Sequence, residues 1–449
     1  MKKFIQTLKN IWSIEELRSK ILYTLLLILI YRVGTHIVLP GINAVEIQQN
    51  QKSNAGGILD LINAFSGGAF SQASIFALGI MPYISASIFM QLMTVLVPQF
   101  QKMQKEGDSG RKKINQYTRY LTVAVTAVQA SAYVAYLKQI HGSAILPAYA
   151  GFFWLSTVII LTAGTLFVMW MGEKITDRGL GNGTSLIIMI GILARLPQSF
   201  INEFTAKSTR PGFILIFIIE IAVLIAIILG CILLIQGTRK IPVNYAKQIV
   251  GNRQFGGARQ FLPIKVNSAG VMPIIFAQAI MFLPTLFNLS NTIKQSETGQ
   301  GLAHIFTDHT NVWYMVIYSV VVIGFTFLYT ALIFNPKQIA DNLKQNNGFI
   351  PGVKPGQPTV DFIGAIMDKV TLPGAVLLAI VGILPGIAQL LGVTQGFSTF
   401  FGGTSLLIMV GVILDTLQQI ETQLLMRQYD GLMKSGRIQG RQTATTVQM

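Results

Sequence analysis

Ten apolar runs of membrane-spanning length recur along the 449-residue chain. A helix needs about 20 apolar residues to cross the ~30 Å hydrocarbon layer of a bilayer. Apolar runs of this length therefore indicate transmembrane helices. Only 12% of the residues are charged, whereas about 25% is usual in soluble domains. The sequence therefore predicts an all-α polytopic membrane protein with spans near 21–40, 74–97, 117–139, 151–171, 182–200, 212–236, 268–289, 312–334, 370–391 and 401–426.

Basic residues are distributed unevenly between the loops on the two sides of these spans. Of the 34 Lys and Arg residues, 27 fall on the side of the N-terminus and 7 on the other side. Because cytoplasmic loops carry the excess of Lys and Arg, both termini are predicted to be cytoplasmic. The net charge of +16 then reflects topology rather than a nucleic-acid-binding surface. The terminal segments 1–20 and 427–449 are expected in the cytoplasm.

Two pairs of motifs indicate an internal repeat. "LGIMPYISASIFM" at 78–90 resembles "AGVMPIIFAQAIM" at 269–281, and "GTSLIIMIGI" at 183–192 resembles "GTSLLIMVGV" at 403–412. Both pairs relate spans five apart, so the repeating unit holds five spans and the two copies run through the bilayer in opposite directions. Functional paths in such inverted repeats lie between the halves, near the midplane. The predicted parts are the halves 21–200 and 212–426 and an outer connecting loop at 201–211.

The repeat pairs four isoleucines. Ile84 corresponds to Ile275 and Ile188 to Ile408, and Ile80 lies one helical turn before Ile84. A ring of such side chains at a narrow waist would dewet and exclude ions while closing around a segment of variable shape. Lipid-facing or core positions are the commoner environment of isoleucine in membranes, and the residues alone leave both interpretations open.

Motifs for catalysis are weak. "RGLGNGTS" at 178–185 follows no strand and lacks GK[ST], so a turn that caps the fifth span is favoured over a phosphate site. His304 and His309 share a loop without further metal ligands at suitable spacing. Glu220 and Asp415 are the two clear charges within spans; they fit either a proton or sodium relay or polar neighbours. No enzyme activity, metal or cofactor is predicted.

Two long loops on the basic side are candidate docking surfaces. Residues 237–267 carry six basic residues and no acidic one, and residues 335–370 contain "NNGFIPGVKPGQPT", whose Gly and Pro residues indicate a protruding turn. Loops of this length exceed what a connection needs. They favour an acidic partner such as ribosomal RNA or an acidic protein surface, although simple topological charge is the alternative.

The segment "GGILDLINAFSGGAF" at 56–70 is apolar but short. From Ile58 to Ser66 a helix would rise only ~13 Å, which is far less than the bilayer thickness. Glycine pairs flank it, with Gly57 in the first pair. Such a half-helix is tolerated at membrane depth only where protein or a water-filled cavity surrounds it.

Motifs over about residues 10–435 together resemble the SecY family, the central subunit of the protein-conducting channel, in its bacterial form. They include "YRVGTHIVLPGI", "KEGDSGRKKINQYTRY", "MWMGEKITDRGLGNGTSLII", "RKIPVNYAKQ", "FNPKQIADNLKQNNGFIPG" and "FGGTSLLIMVGVILDT". The resemblance implies an hourglass channel between two five-helix halves. It would pass unfolded secretory polypeptides across the membrane and release hydrophobic segments sideways, between spans 2–3 and 7–8.

The resemblance also assigns residues. The family's pore ring falls on Ile80, Ile84, Ile188, Ile275 and Ile408. The segment at 56–70 matches the family's plug, with an apolar face against the ring and polar residues towards water; its residues are Gly57, Ile58, Leu59, Asp60, Leu61, Ile62, Asn63 and Phe65. Docking to the ribosome or to the motor ATPase SecA is expected at Arg239, Lys240, Lys247, Arg253, Arg259 and Lys354.

The expected partners are SecE and SecG-like small membrane subunits, SecA, the ribosome, signal peptides with their nascent chains, and the lipid of a bacterial inner membrane. Lys354 departs from the arginine usual in the family's "PG[IV]RPG" turn. Lysine keeps the charge but lacks the planar, bidentate fork of arginine, so SecA activation through this turn carries over less securely. The alternative function from another class is a secondary transporter, because inverted repeats and broken helices are common there as well.

Overall fold

Long apolar helices form most of the structure, a computed structural model that describes residues 12–43, 46, 63, 65–140, 145, 151–208, 211–245, 248–250, 253–255, 259–287 and 310–434. The helices in the first part of the chain are α1 Glu15–Gly34, α2 Met81–Leu96, α3 Pro98–Lys105, α4 Asp108–Ile140, α5 Phe153–Arg178, α6 Gly183–Lys207 and α7 Phe213–Gln236. Those in the second part are α8 Met272–Phe287, α9 Val312–Ile333, α10 Pro336–Gln345, α11 Gln357–Leu390, α12 Gln395–Ser398 and α13 Gly403–Lys434.

A helix lies at each of the ten predicted spans. Among the described residues, seven helices are long and apolar enough to cross a bilayer. An eighth is added if α2 and α3 count as one span, although the chain bends by 99° between them at Pro98. The other two predicted spans correspond to α1, which carries charges near both ends, and to α8, which has 16 residues.

Apolar side chains face outwards along these helices. On α7, for example, Leu215 and Leu233 are 67% and 73% exposed, and Ile218 is exposed as well. A soluble helix buries its apolar face against a core, whereas a helix that is apolar all around suits lipid. The outer surface of the helical body is therefore the surface that meets the membrane.

Several helices are longer than the predicted spans. α6 continues to Lys207, so residues 201–207 are helical and do not belong to the connecting loop that was expected at 201–211. Glu203 and Lys207 form an ion pair one turn apart, which lets a charged sequence continue the helix. α11 begins at Gln357 rather than near 370, because polar residues are acceptable where a helix of about 51 Å projects beyond the hydrocarbon.

The two copies of the first repeated motif, at 78–90 and 269–281, begin with the same local conformation. Gly79 and Gly270 both have positive φ, at 54° and 65°. Two residues after these glycines, α2 begins at Met81 and α8 at Met272, and each methionine is followed by a proline that suits the first turn of a helix. At these positions the structure agrees with the alignment of 78–90 with 269–281.

Two small antiparallel sheets lie in the long basic loops. The strands are β1 Thr238–Tyr245, β2 Gln248–Val250, β3 Arg253–Phe255, β4 Arg259–Lys265 and β5 Gly348–Phe349. β1 pairs with β4 along its length and with β5 through Asn244 and Phe349, while β2 pairs with β3. Because β5 belongs to the second loop, the loops predicted at 237–267 and 335–370 share one sheet. A small core that includes Ile241, Ile264 and Ile363 packs beneath it.

Candidate functional site

A cavity of about 530 Å³ lies between helices of the two repeats. The elements that line it are α2, α8, α9, α13 and the first turns of α6. Its described lining residues are Phe65, Met81, Tyr83, Ile84, Ser87, Ile88, Gln91, Asn182, Thr184, Ser185, Ile188, Ser268, Ala269, Gly270, Val271, Met272, Ile275, Tyr329, Ile333, Leu407, Ile408, Gly411, Val412 and Asp415.

Four of the five predicted ring residues line this cavity. They are the two repeat-related pairs, Ile84 with Ile275 and Ile188 with Ile408. Ile80 lies behind the lining in the same apolar cluster, where it is 2% exposed, and Ile188 and Ile408 also belong to this cluster. The structure therefore brings the five isoleucines together, and their action as a pore ring stays a prediction.

The described end of the predicted plug contacts the isoleucines. Phe65 lines the cavity, is 3% exposed and packs in one cluster with Ile80, Ile188 and Ile408. The side-chain oxygen of Asn63 accepts a hydrogen bond from the Ser71 backbone N–H at 3.2 Å. The other plug residues lie outside the described part of the chain: Gly57, Ile58, Leu59, Asp60, Leu61 and Ile62.

Glycine permits the close approach of this segment to α6. A Cβ atom at Gly191 would lie 2.5 Å from the Phe65 carbonyl oxygen. Gly67 has a φ of 66°, in the left-handed region that glycine adopts without strain. Its carbonyl accepts a hydrogen bond of 3.3 Å from Arg32 Nη1. Gly67 of the second glycine pair is thus an anchoring point between α1 and α6.

Polar side chains line the opposite end of the cavity from Phe65. Tyr329 Oη on α9 donates a hydrogen bond of 2.8 Å to Gln91 Oε1 on α2, which joins the two halves of the chain. Asn182 caps the start of α6, where its side chain accepts from the backbone N–H groups of Thr184 and Ser185. The turn at 178–185 therefore caps the fifth span, as its sequence predicted. The Gln91–Tyr329 contact was not predicted, since no sequence pattern relates residues 238 positions apart.

The two charged residues singled out within spans have different environments. Asp415 lines the cavity and is exposed there. Glu220 is buried, and the ammonium group of Lys207 contacts its carboxylate. Of the two interpretations left open for Glu220, polar neighbours fit the structure, because its partner Lys207 lies on the preceding helix across a short connection.

Lys207 also contacts a second carboxylate. Its Nζ lies 2.8 Å from Glu203 Oε1, and Glu203 Oε2 accepts hydrogen bonds from the Thr394 hydroxyl and from the Thr394 N–H, the latter at 2.8 Å. Glu203 and Lys207 are 0% and 4% exposed. This buried cluster joins α6 of the first half to α7 and the α11–α12 connection of the second.

The predicted docking residues lie at the sheet and the adjoining turn. Arg239 and Lys240 are exposed on β1, and Arg253 and Arg259 begin β3 and β4. Lys354 is exposed between Gly352 and Gly356, both of which have positive φ; the Lys354 carbonyl accepts a 2.9 Å hydrogen bond from the Thr359 hydroxyl. Lys247 lies outside the described residues.

Full-length bacterial relatives match the chain. The protein translocase subunit SecY of Mycobacterium bovis is 41% identical over 446 residues, covering 96% of this chain and 99% of the relative. That of Thermus thermophilus is 42% identical over 440 residues, covering 97% and 99%. These relatives are named as translocase subunits, not as ion-coupled transporters.

Solved structures of protein-conducting channels share the fold. One channel matches with a TM-score of 0.61 at 17% identity, covering 90% of this chain and 92% of the other. A SecY channel studied for its plug domain matches at 0.56 with 18% identity, and Sec61 of a canine ribosome–channel complex at 0.58 with 16%, with the same coverage. The SecY family model matches residues 74–417. The family model and the full-length relatives together show that the chain belongs to the SecY family.

Proposed function

We propose that this chain forms the channel through which unfolded secretory polypeptides cross the membrane and from which hydrophobic segments enter the bilayer. The observation that carries the proposal is the cavity between the repeats, which is lined by the paired residues Ile84, Ile275, Ile188 and Ile408 and by Phe65 of the plug segment. An apolar constriction of this kind excludes hydrated ions and adapts to side chains of different size.

In this channel, residues 56–70 act as a plug. The described part of the segment packs on the isoleucine cluster through Phe65 and is held to α6 by a close backbone contact at Gly191. The related solved channel is described as having a plug domain that stabilises the closed state and maintains a membrane seal. For this chain we expect the same: the plug leaves when a polypeptide enters.

The lateral exit lies between α2 and α9, where the Gln91–Tyr329 hydrogen bond spans the edge of the cavity. A signal core of ten Leu-like residues gains roughly 3 to 6 kcal/mol on entering lipid. That gain is comparable to the few kcal/mol that separate two states of a switchable protein. A hydrophobic segment can therefore open this edge, and a polar segment cannot.

A secondary transporter is not retained as the alternative. The full-length relatives are named as translocase subunits. Among the described residues that line the cavity, Asp415 is the only Asp, Glu, Lys, Arg or His. We assign no chemical reaction to the chain. The proposed partners are SecE and SecG subunits, SecA, and the ribosome, which the canine relative binds in its complex; both termini are expected in the cytoplasm of the bacterial cell.

Crosslinking of a stalled nascent chain tests this function. Photoreactive residues placed at positions 84, 188, 275 and 408 should form adducts with a secretory chain that is arrested during passage. The matched control is position 215, whose leucine is 67% exposed on the lipid-facing surface of α7. Equal labelling at position 215 and at the four cavity positions, or no labelling at the four, would contradict the proposed channel.

A further inference from the structure

Asp415 supplies the only formal charge among the described residues that line the cavity. It shares one face of α13 with Ile408, Gly411 and Val412, since residues three, four and seven apart lie on the same side of a helix. The rise from Ile408 to Asp415 is about 10 Å. The carboxylate therefore lies at the polar mouth, two turns from the isoleucines, in the same lining as Gln91 and Tyr329.

The carboxylate is available to a ligand. Asp415 is exposed, and the ion pairs found among the described residues do not include it. In a chain with a net charge of +16 it provides a local negative charge in a lining whose other described residues carry none. Walls of low dielectric around a cleft strengthen such a field and raise the local concentration of the opposite charge.

A role as a proton relay does not fit this arrangement. A relay needs a second acceptor within reach, such as a carboxylate or an imidazole. None of the described residues around the cavity provides one, and Glu220 is engaged by Lys207 elsewhere. Beyond its polar neighbours in the lining, the face of α13 that leads from Asp415 to the isoleucines is aliphatic, through Val412 and Ile408.

We propose that Asp415 binds the cationic group, ammonium or guanidinium, that precedes the hydrophobic core of an entering segment. This inference rests on the proposed channel function and names a subsite within it. Secretory signals in general contain Lys or Arg residues before an apolar core of about 7–15 residues. When the apolar core of such a segment lies along the isoleucines, the cationic group before the core is placed next to Asp415. The N-terminal end is then retained at the mouth while the remainder of the chain enters as a loop.

The subsite is tested by measuring the export of substrates whose signals differ in charge. The membranes contain the full-length channel, wild type or substituted at Asp415, together with its partner subunits. The substrates share one signal core and differ only in a preceding Lys-Lys, Gln-Gln or Glu-Glu pair. A partly exposed ion pair is weak, so Asp415→Asn should reduce the rate advantage of Lys-Lys over Gln-Gln by roughly two- to fivefold. Asp415→Lys should favour Glu-Glu over Lys-Lys. Export of the Gln-Gln substrate reports that each variant is folded.

Glu421→Asn is the matched control, because Glu421 is exposed on the same helix and is absent from the described cavity lining. It should leave the charge preference unchanged. The inference is overturned if Asp415→Asn and wild type show the same Lys-Lys to Gln-Gln ratio, or if Asp415→Lys slows the three substrates equally.

A carbodiimide provides a second, direct measurement. It condenses a carboxylate with an amine in contact, so a stalled Lys-Lys chain should be coupled to wild type and not to Asp415→Asn. Crosslinking of the same stalled chain to a photoreactive residue at position 84 of the channel serves as an internal reference. Labelling at position 84 without coupling at Asp415 refutes this subsite alone, whereas loss of labelling at position 84 in wild type refutes the proposed channel itself.

Discussion

At the scale of single residues, Lys207 has the most demanding environment in the described structure. It is 4% exposed and lies between the carboxylates of Glu203 and Glu220. Taking charges out of water costs several kcal/mol per ion, and that cost is offset only while the opposite charges remain in contact. Thr394 contributes two further hydrogen bonds to Glu203. The cluster is therefore stable as a unit and sensitive to the loss of one member.

Replacement of Lys207 by methionine is expected to destabilise the fold strongly. The change leaves two buried carboxylates facing each other without a cation, and breaking a buried pair in this way costs about 3 to 5 kcal/mol. Thermal unfolding of the purified protein in detergent, followed by helical circular dichroism, measures the effect as a lower midpoint.

The control for this change is Lys369→Met, because Lys369 is exposed on α11. Substitutions at such sites usually change stability by less than about 0.5 kcal/mol. Similar midpoints for the two variants would show that the buried cluster contributes no more than a surface lysine.

Residues that interact through local or repeated patterns were accessible from the sequence, and those that interact across the fold were not. The isoleucine pairs followed from aligned motifs, and the structure places them around one cavity. The partner of Glu220 could not be found, because the contact with Lys207 depends on how α6 and α7 pack after the chain turns. Likewise, the sequence identified Asp415 as unusual but gave no means of placing it at the cavity mouth.

At the scale of elements, the plug segment and α6 approach each other closely enough to exclude a methyl group. A Cβ atom at Gly191 would meet the Phe65 carbonyl oxygen at 2.5 Å, which is too close for a real side chain. Gly191→Ala should therefore displace the segment around Phe65 and increase ion leakage through the resting channel. Ion flux across vesicles or planar bilayers that contain the variant measures this.

Gly230→Ala on α7 is the matched control for that experiment. A Cβ atom there has no neighbour within 4 Å, while the gain of about 1 kcal/mol in helix propensity is the same for both changes. The steric interpretation fails if the two variants leak equally, or if neither leaks more than wild type.

The contact between α2 and α9 gives a prediction about hydrophobic selectivity. Tyr329→Phe removes the hydrogen bond to Gln91 Oε1, and a bond of this type contributes about 0.5 to 1.5 kcal/mol. At about 0.3 to 0.6 kcal/mol for each Leu-like residue, this equals roughly one to five leucines of a signal core. The variant should export substrates whose cores are shorter by that number, as measured by titrating core length in an export assay.

Two further variants separate the hydrogen bond from a general loosening. Tyr120→Phe, at a side chain that is 71% exposed on α4, should leave the required core length unchanged. Gln91→Leu combined with Tyr329→Phe should shift it no further than either change alone, since both remove one interaction. Additive shifts would mean that the two residues act independently.

Element existence was easier to predict than element ends. Apolar periodicity located each of the ten helices, yet α11 begins 13 residues before its predicted span and α6 extends through the expected loop. Hydropathy predicts which residues of a helix lie in the hydrocarbon layer. The helix itself continues beyond that layer where its polar residues are solvated or paired. The bend between α2 and α3 depends on Val97 adopting an extended conformation before Pro98, as residues that precede proline tend to do.

At the scale of the whole molecule, contacts of different kinds join the two halves of the chain. The buried Glu203–Lys207–Glu220 cluster joins them beside the connection between α6 and α7. Across the cavity, Gln91 and Tyr329 join α2 and α9 through a single hydrogen bond. Because the first contact is buried and ionic and the second is partly exposed, we expect the halves to separate at α2 and α9 and to remain together at the cluster.

The basic loops also form one unit at this scale. The pairing of Asn244 with Phe349 connects segments about a hundred residues apart, which hydropathy and charge could not reveal. It places the loop that carries Arg239 and the turn that carries Lys354 on a common support. A docking partner therefore meets one surface composed of both loops rather than two independent tips.

This common surface leads to a prediction about salt dependence. If Arg239 and Lys240, both exposed on β1, contact phosphates of ribosomal RNA, each contact releases a counterion and adds to the slope of affinity against salt. Lys240→Gln should weaken ribosome binding and reduce that slope by about one, as measured by co-sedimentation over a salt series. Lys102→Gln changes an exposed lysine on α3, away from the sheet, and should change neither quantity. An unchanged slope for Lys240→Gln, or an equal reduction for Lys102→Gln, would contradict ribosome contact by β1. Its basic residues would then only set the orientation of the chain in the membrane.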